Sequence, residues 1–147
     1  MIVVSACLLG LKCRWDGQCY PPEKKLMNLP DLIAVCPEQL GGLPTPREPA
    51  QIIDGNGFDV LNNRARVINA SGIDVTAEFI RGATEVLNIS RQHNVSRVIL
   101  KDKSPSCATN HLYQGKNLVS GMGVTCALLK SEGFAVLSSE ELDKLHA

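Results

Sequence analysis

The chain of 147 residues is 44% hydrophobic and balances 15 basic side chains against 15 acidic ones. That length suits one domain able to bury a full core, and zero net charge argues against a nucleic-acid binder driven by bulk electrostatics. No apolar run approaches the roughly 18–20 residues of a membrane helix, and the apolar N-terminus lacks the basic flank of a secretory signal, so a cytoplasmic protein is expected.

Residues 2–6 form a short continuous apolar run, the mark of a strand buried on both faces, and it ends at Cys7. Gly10 and Gly17 then punctuate a polar loop that carries Arg14, Trp15 and Asp16. A short helix is expected over residues 22–29, because Pro22 suits a first helical position and Pro30 stops the run. Residues 32–35 read as a second buried strand, which also ends at a cysteine, Cys36. From 41 to 49, three prolines and two glycines exclude helix and central strand and suggest a stiff wall or lid over a site.

Between residues 58 and 68, two short runs flank Asn62 and Asn63, the pattern of a small hairpin. Asp74 or Thr76 caps a helix whose buried face is Phe79, Ala83, Val86, Leu87 and Ser90, and Asn94 ends it as a left-handed cap. Residues 95–100 form a third buried strand. A second long helix covers about 122–132 with Gly133 as its stop, followed by a short strand over 135–137. Ser138 and Glu141 have the spacing of a capping box that opens a terminal helix. Strands alternating with helices indicate a single-domain, Rossmann-like α/β fold: a mainly parallel sheet flanked by helices, plus a small hairpin.

Six cysteines, at 7, 13, 19, 36, 107 and 126, favour metal binding or catalysis over disulfides in a reducing compartment. Ligands of open parallel sheets bind outside the carboxyl ends of the strands. Cys7, Cys36 and Cys107 each fall at or just past such an end, so three thiols converge on one crevice if the strands share a sheet. Three thiolates suit either a metal ion with an open position or three irons of a four-iron cluster. The six-residue intervals from Cys7 to Cys13 and Cys19 match no zinc pattern. Cys13 and Cys19 read as packing or nearby loop thiols, Cys13 being the better placed of the two as a spare ligand, and Cys126, among Ala127, Leu128 and Leu129, reads as core filler.

Several polar side chains would share the crevice. Glu38, two residues past Cys36, is a candidate general acid or base. Ser104, three residues before Cys107, is a candidate hydrogen-bond donor. Arg47 could bind an anionic substrate group, and Lys101 and Lys103 could recognise phosphate. The histidines offer no ligand pair: His93 closes a helix, His111 reaches a pocket rim at most, and His146 lies in the tail.

Five motifs together resemble the DUF523 family of thiouracil and thiouridine desulfidases. They are Val-Ser-Ala-Cys-Leu-Leu-Gly at 4–10, Cys-Arg-Trp-Asp-Gly at 13–17, Cys-Pro-Glu-Gln-Leu-Gly-Gly-Leu-Pro-Thr-Pro-Arg at 36–47, Gly-Ile-Asp-Val-Thr at 72–76, and Lys-x-x-Ser-Pro-Ser-Cys at 101–107. The resemblance implies a [4Fe–4S] cluster on Cys7, Cys36 and Cys107, with Glu38 and Ser104 as catalytic carboxylate and hydroxyl. Arg14, Asp16, Arg47, Lys101 and Lys103 are then expected to face the substrate. Trp15 replaces the tyrosine usual in the family, and Ala108 the glycine usual after the last cysteine. The implied reaction is non-redox removal of sulfur as sulfide from a thiolated pyrimidine, with one iron open to the substrate. The neutral charge favours a small base or nucleotide over thiolated tRNA. The rival reading is a cluster- or zinc-binding sensor without turnover.

Overall fold

The computed structural model describes residues 1–144. Its strands are β1 (Ile2–Ser5), β2 (Leu32–Val35), β3 (Ala50–Ile53), β4 (Arg66–Asn69), β5 (Arg97–Leu100), β6 (His111–Gln114), β7 (Asn117–Ser120) and β8 (Val136–Ser138). Its α-helices are α1 (Lys24–Met27), α2 (Pro37–Leu40), α3 (Gly57–Leu61), α4 (Thr76–Gln92) and α5 (Val124–Ser131).

The central sheet has the order β2–β1–β5–β8, and every pairing in it is parallel. The continuous apolar runs explain this placement, since β1 and β5 are covered on both faces. Val3, Val98 and Leu100 point one way and pack against Val86 and Leu87 of α4 and Cys126 and Leu129 of α5. Val4 and Ile99 point the other way, onto Leu8, Leu26 and Leu142. Each such fully buried aliphatic side chain contributes about 1.5–3 kcal/mol. The expected α/β architecture is therefore present, with its parallel sheet set between two apolar layers.

The long helix begins at Thr76, but its N-cap is Val75, which makes no side-chain cap bond, rather than Asp74 or Thr76; Asp74 Oδ1 instead accepts from the Thr76 amide at 2.9 Å just ahead of the first turn. It ends at Asn94, whose φ of 49° is the expected left-handed stop. The expected helix at 122–132 is shorter, Val124–Ser131, because Gly123 packs its backbone against Ser106 and starts the helix late. Across the molecule, α2 and α4 touch backbone to backbone. A Cβ on Gly82 would run into the Pro37 carbonyl, and one on Gly41 into the Glu78 carbonyl. This contact seats the Cys36–Pro37–Glu38 corner on a rigid helix.

Two expectations need correction. The hairpin read between 58 and 68 is instead a helical turn, α3, followed by β4. Asn56 accepts from the Phe58 and Asp59 amides, and Asp59 accepts from the Asn56 amide, a capping box that commits the segment to helix. The antiparallel partner of β4 is β3, from the far side of α3. The second correction concerns Ser138, which accepts from the Glu140 amide at 3.1 Å and opens a 3-10 segment, Ser139–Lys144, rather than an α-helix. His146 lies outside the described residues. A further hairpin, β6–β7, turns at Gly115 with φ 61°, and the side chain of Gln51 on β3 holds that turn by bonds in both directions. Among the described residues no helix is long and apolar enough to cross a membrane.

Candidate active site

A cavity of about 600 Å³ opens at the carboxyl ends of β1, β2 and β5, and Cys7, Cys13, Cys36 and Cys107 all line it. Cys7 sits in a 3-10 turn, Ala6–Leu9, that directly extends β1 and is closed by Gly10 at φ 82°. Cys36 is the residue between β2 and α2. Cys107 arrives from β5 by way of a loop. The thiol of Cys13 lies in contact with those of both Cys7 and Cys36, so the spare ligand read from sequence is inside the cluster of thiols. Cys126 is fully buried in the core, as expected, and Cys19 is exposed.

The loop that carries Cys107 is organised by a residue the sequence reading passed over. Asp102 is 3% exposed, and its Oδ1 accepts from the backbone amides of Lys103 (2.9 Å), Thr109 (3.0 Å), Asn110 (3.0 Å) and His111 (3.2 Å). Burial works to raise its pKa, but these amides together outweigh burial and hold it below the usual carboxylate range. Ser104 Oγ accepts from the Cys107 amide at 2.8 Å, which closes the turn on the thiol. The polar signal was present in Lys-Asp-Lys, but only the fold shows which way the middle carboxylate turns.

Glu38 stands on the first turn of α2 with both oxygens engaged. Oε2 accepts from Arg47 Nε at 2.7 Å and Oε1 accepts from Ser106 Oγ at 3.1 Å. The two side chains of the ion pair are 14% and 7% exposed. Arg47 also donates to Thr45 Oγ1 (2.9 Å), to the Pro44 carbonyl (3.3 Å) and to the Cys13 carbonyl (2.8 Å). Most of its guanidinium donors are thus committed to the proline-rich wall and the Cys13 loop, and the wall itself borders the cavity as expected. A planar, forked donor suits this bracing task better than a lysine would.

The remaining candidates form the rim. Arg14 pairs with Asp16 at 3.2 Å and lies over the Tyr20 ring at 4.3 Å. Lys101 approaches the same ring at 5.2 Å, so Tyr20, unremarked in sequence, has two cations near its ring. Arg14 Nε is buried with no hydrogen-bond partner among the described residues. Asp16 turns its other oxygen to the Gln18 amide and is not among the cavity-lining residues. Lys103 borders the cavity but reaches outward to Glu140 at 3.7 Å. Trp15 and Tyr113, both over two-fifths exposed, complete an aromatic lip.

The donor set suits a thiophilic metal group. Contact with Cys36 favours the Cys13 thiolate, but the Cys7 contact and burial outweigh it and push the thiol up to about 11. Contact with Cys13 and then burial push Cys36 far up, and burial takes Cys107 to about 12. Near neutral pH these are protons that a metal would displace on binding. Among the described residues no three acidic, histidine or cysteine side chains close on one point as a single-ion cage.

Fold and site define a parallel α/β protein with a thiol-lined pocket at its strand ends. The chain belongs to the 2-thiouracil desulfurase family, which it matches over residues 2–141. It is 46% identical over 150 residues to the uncharacterized protein YbbK of Bacillus subtilis (strain 168), spanning 99% of each chain. Its fold matches that of TudS, a [4Fe–4S]-dependent thiouracil desulfidase, with a TM-score of 0.86 and 40% identity, over 98% of this chain and 93% of the other. The likeness to DUF523 proteins read from the motifs is borne out.

Proposed function

We propose that this protein is a thiouracil desulfidase that uses a [4Fe–4S] cluster held by Cys7, Cys36 and Cys107. The observation that carries the reading is the meeting of these thiols, from the ends of different strands, with Glu38 and Ser104 in one cavity. Family membership and the likeness to TudS support it. When bound, such a cluster supplies a Lewis-acidic iron, left open by the three-cysteine ligation, to which a thiocarbonyl sulfur can bind.

The protein residues then carry out a hydrolysis. Water adds to the thiocarbonyl carbon, its oxygen stays, and sulfur leaves as hydrosulfide. Glu38, held by Arg47 and Ser106, takes a proton from the water. Ser104 has its oxygen occupied by the Cys107 amide and keeps its own proton to donate to the substrate. Tyr20, with Arg14 and Lys101 on its ring, and the Trp15 lip offer planar surfaces for a pyrimidine. The same rim extends the reading to 4-thiouridine and its nucleotides, with Lys101 available to a phosphate.

The test is anaerobic reconstitution followed by assay of sulfide release from 2-thiouracil, 4-thiouridine and 4-thiouridine monophosphate. Release from thiouracil is expected, and Glu38→Ala should keep the cluster while losing turnover. A fully loaded cluster that releases sulfide from none of the three compounds excludes the enzyme reading.

A further inference from the structure

Ser106 is one of the most enclosed polar residues of the site, at 3% exposure, and the reaction scheme uses it only as one of the two partners of Glu38. Its backbone is clamped. The carbonyl accepts from the Thr125 amide at 2.9 Å and the Cys126 amide at 3.3 Å, and the Gly123 backbone lies so close that a Cβ there would come within 2.5 Å. Its hydroxyl therefore stands at a point set by the N-terminal turn of α5, not by a mobile loop.

Around that hydroxyl lie Glu38 Oε1 at 3.1 Å, Ser104 Oγ at 3.4 Å and Cys107 Sγ at 3.6 Å. A serine has one proton and two acceptor lone pairs. A carboxylate is the strongest acceptor of the three and also the nearest, so the proton goes to Glu38. Between the serines the donor must then be Ser104, whose own oxygen is already used by the Cys107 amide. At 3.4 Å that bond is long and weak. Before substrate binds, the Ser104 hydrogen rests on Ser106, from which it swings to a substrate at little cost.

We propose that Ser106 is a positioning residue that joins the two catalytic groups: it fixes the Glu38 carboxylate opposite Arg47 and parks the Ser104 proton ready for the substrate. The proposal rests on the assignment of Glu38 and Ser104 made above. Without Ser106, Oε1 of Glu38 keeps no hydrogen-bond partner among the described residues, and the carboxylate is free to pivot about its single tie to Arg47. Displacements of about 1 Å at reacting groups cost on the order of a hundredfold in rate.

The experiment compares Ser106→Ala and Ser106→Thr with wild type in the reconstituted holoprotein. Ser106→Ala should retain the cluster's absorbance and the KM for thiouracil but lose about 10- to 100-fold in kcat, whereas Ser106→Thr, which keeps the hydroxyl, recovers most of it. A double-mutant cycle of Ser106→Ala with Glu38→Ala, read by urea unfolding of cluster-free protein, should show a coupling of about fivefold or more in the unfolding constant. Wild-type kcat in Ser106→Ala, an equal loss in both Ser106 variants, or an uncoupled cycle overturns the proposal. If wild type itself releases no sulfide, the function assigned above fails, and the cycle alone then decides whether Ser106 holds Glu38.

Discussion

Asp102 makes the sharpest stability test in the molecule. Replacing it by alanine leaves the amides of Lys103, Thr109, Asn110 and His111 without their shared acceptor in a site 3% exposed. Each orphaned buried donor costs about 1–3 kcal/mol, and entering water recovers part of the sum. A loss of about 3–5 kcal/mol is expected for Asp102→Ala, which lowers Tm by about 6–20 °C at this chain length. Asp102→Asn keeps one carbonyl oxygen but not the charge, and should lose about 1–2 kcal/mol. Both are measured by urea and thermal unfolding of the reduced, cluster-free protein, where metal binding does not add to stability. The pH dependence has a definite sign. Because the folded pKa is depressed, the unfolded chain binds the proton more tightly. The stabilisation is complete above the ordinary carboxylate pKa of about 4 and drains away as pH falls through the lower folded value. Asp102→Asn should flatten this acid limb. A loss below about 1 kcal/mol in Asp102→Ala, or an acid limb unchanged in Asp102→Asn, refutes the role assigned to this carboxylate.

Three further predictions concern the site and its supports. Cys7→Ser, Cys36→Ser and Cys107→Ser should each fail to hold a cluster on anaerobic reconstitution, while Cys126→Ser keeps it; iron and sulfide analysis with the visible absorbance decides this. Gly82→Ala should destabilise by about 3 kcal/mol although alanine is the better helix former, because its Cβ meets the Pro37 carbonyl rather than a side chain that could move. A Tm at or above wild type would mean that α2 and α4 are not in backbone contact. Arg47→Lys retains charge but not the fork that reaches Glu38, Thr45, Pro44 and Cys13, and should lose about 2–4 kcal/mol; an unchanged unfolding midpoint shows that the wall stands without it.

The amino-acid sequence by itself determined the sheet and the approach of the thiols. Apolar runs at 2–6, 32–35 and 95–100 without polar alternation have only the interior of a parallel sheet to occupy, and in such a sheet strand ends converge by topology. That reasoning brought Cys7, Cys36 and Cys107 to one cavity although 71 residues separate the last two in sequence numbering. It failed at residues 58–68, where Asn62 and Asn63 suggested a hairpin turn, but the capping box of Asn56 and Asp59, closed by two local bonds, makes the segment helical. What only the tertiary structure decided is the partner of each polar group. Side-chain direction depends on packing from elements far apart in sequence, so no local pattern distinguishes Ser104, which bonds the Cys107 amide, from Ser106, which reaches across 68 residues to Glu38. Arg47 is legible in the sequence only as a side chain near the pocket, and it is the fold that brings Glu38 and the Cys13 carbonyl within its reach. Hydrophobic periodicity is a property of the chain, whereas the pairing of buried charges and hydroxyls exists only once the chain has closed on itself.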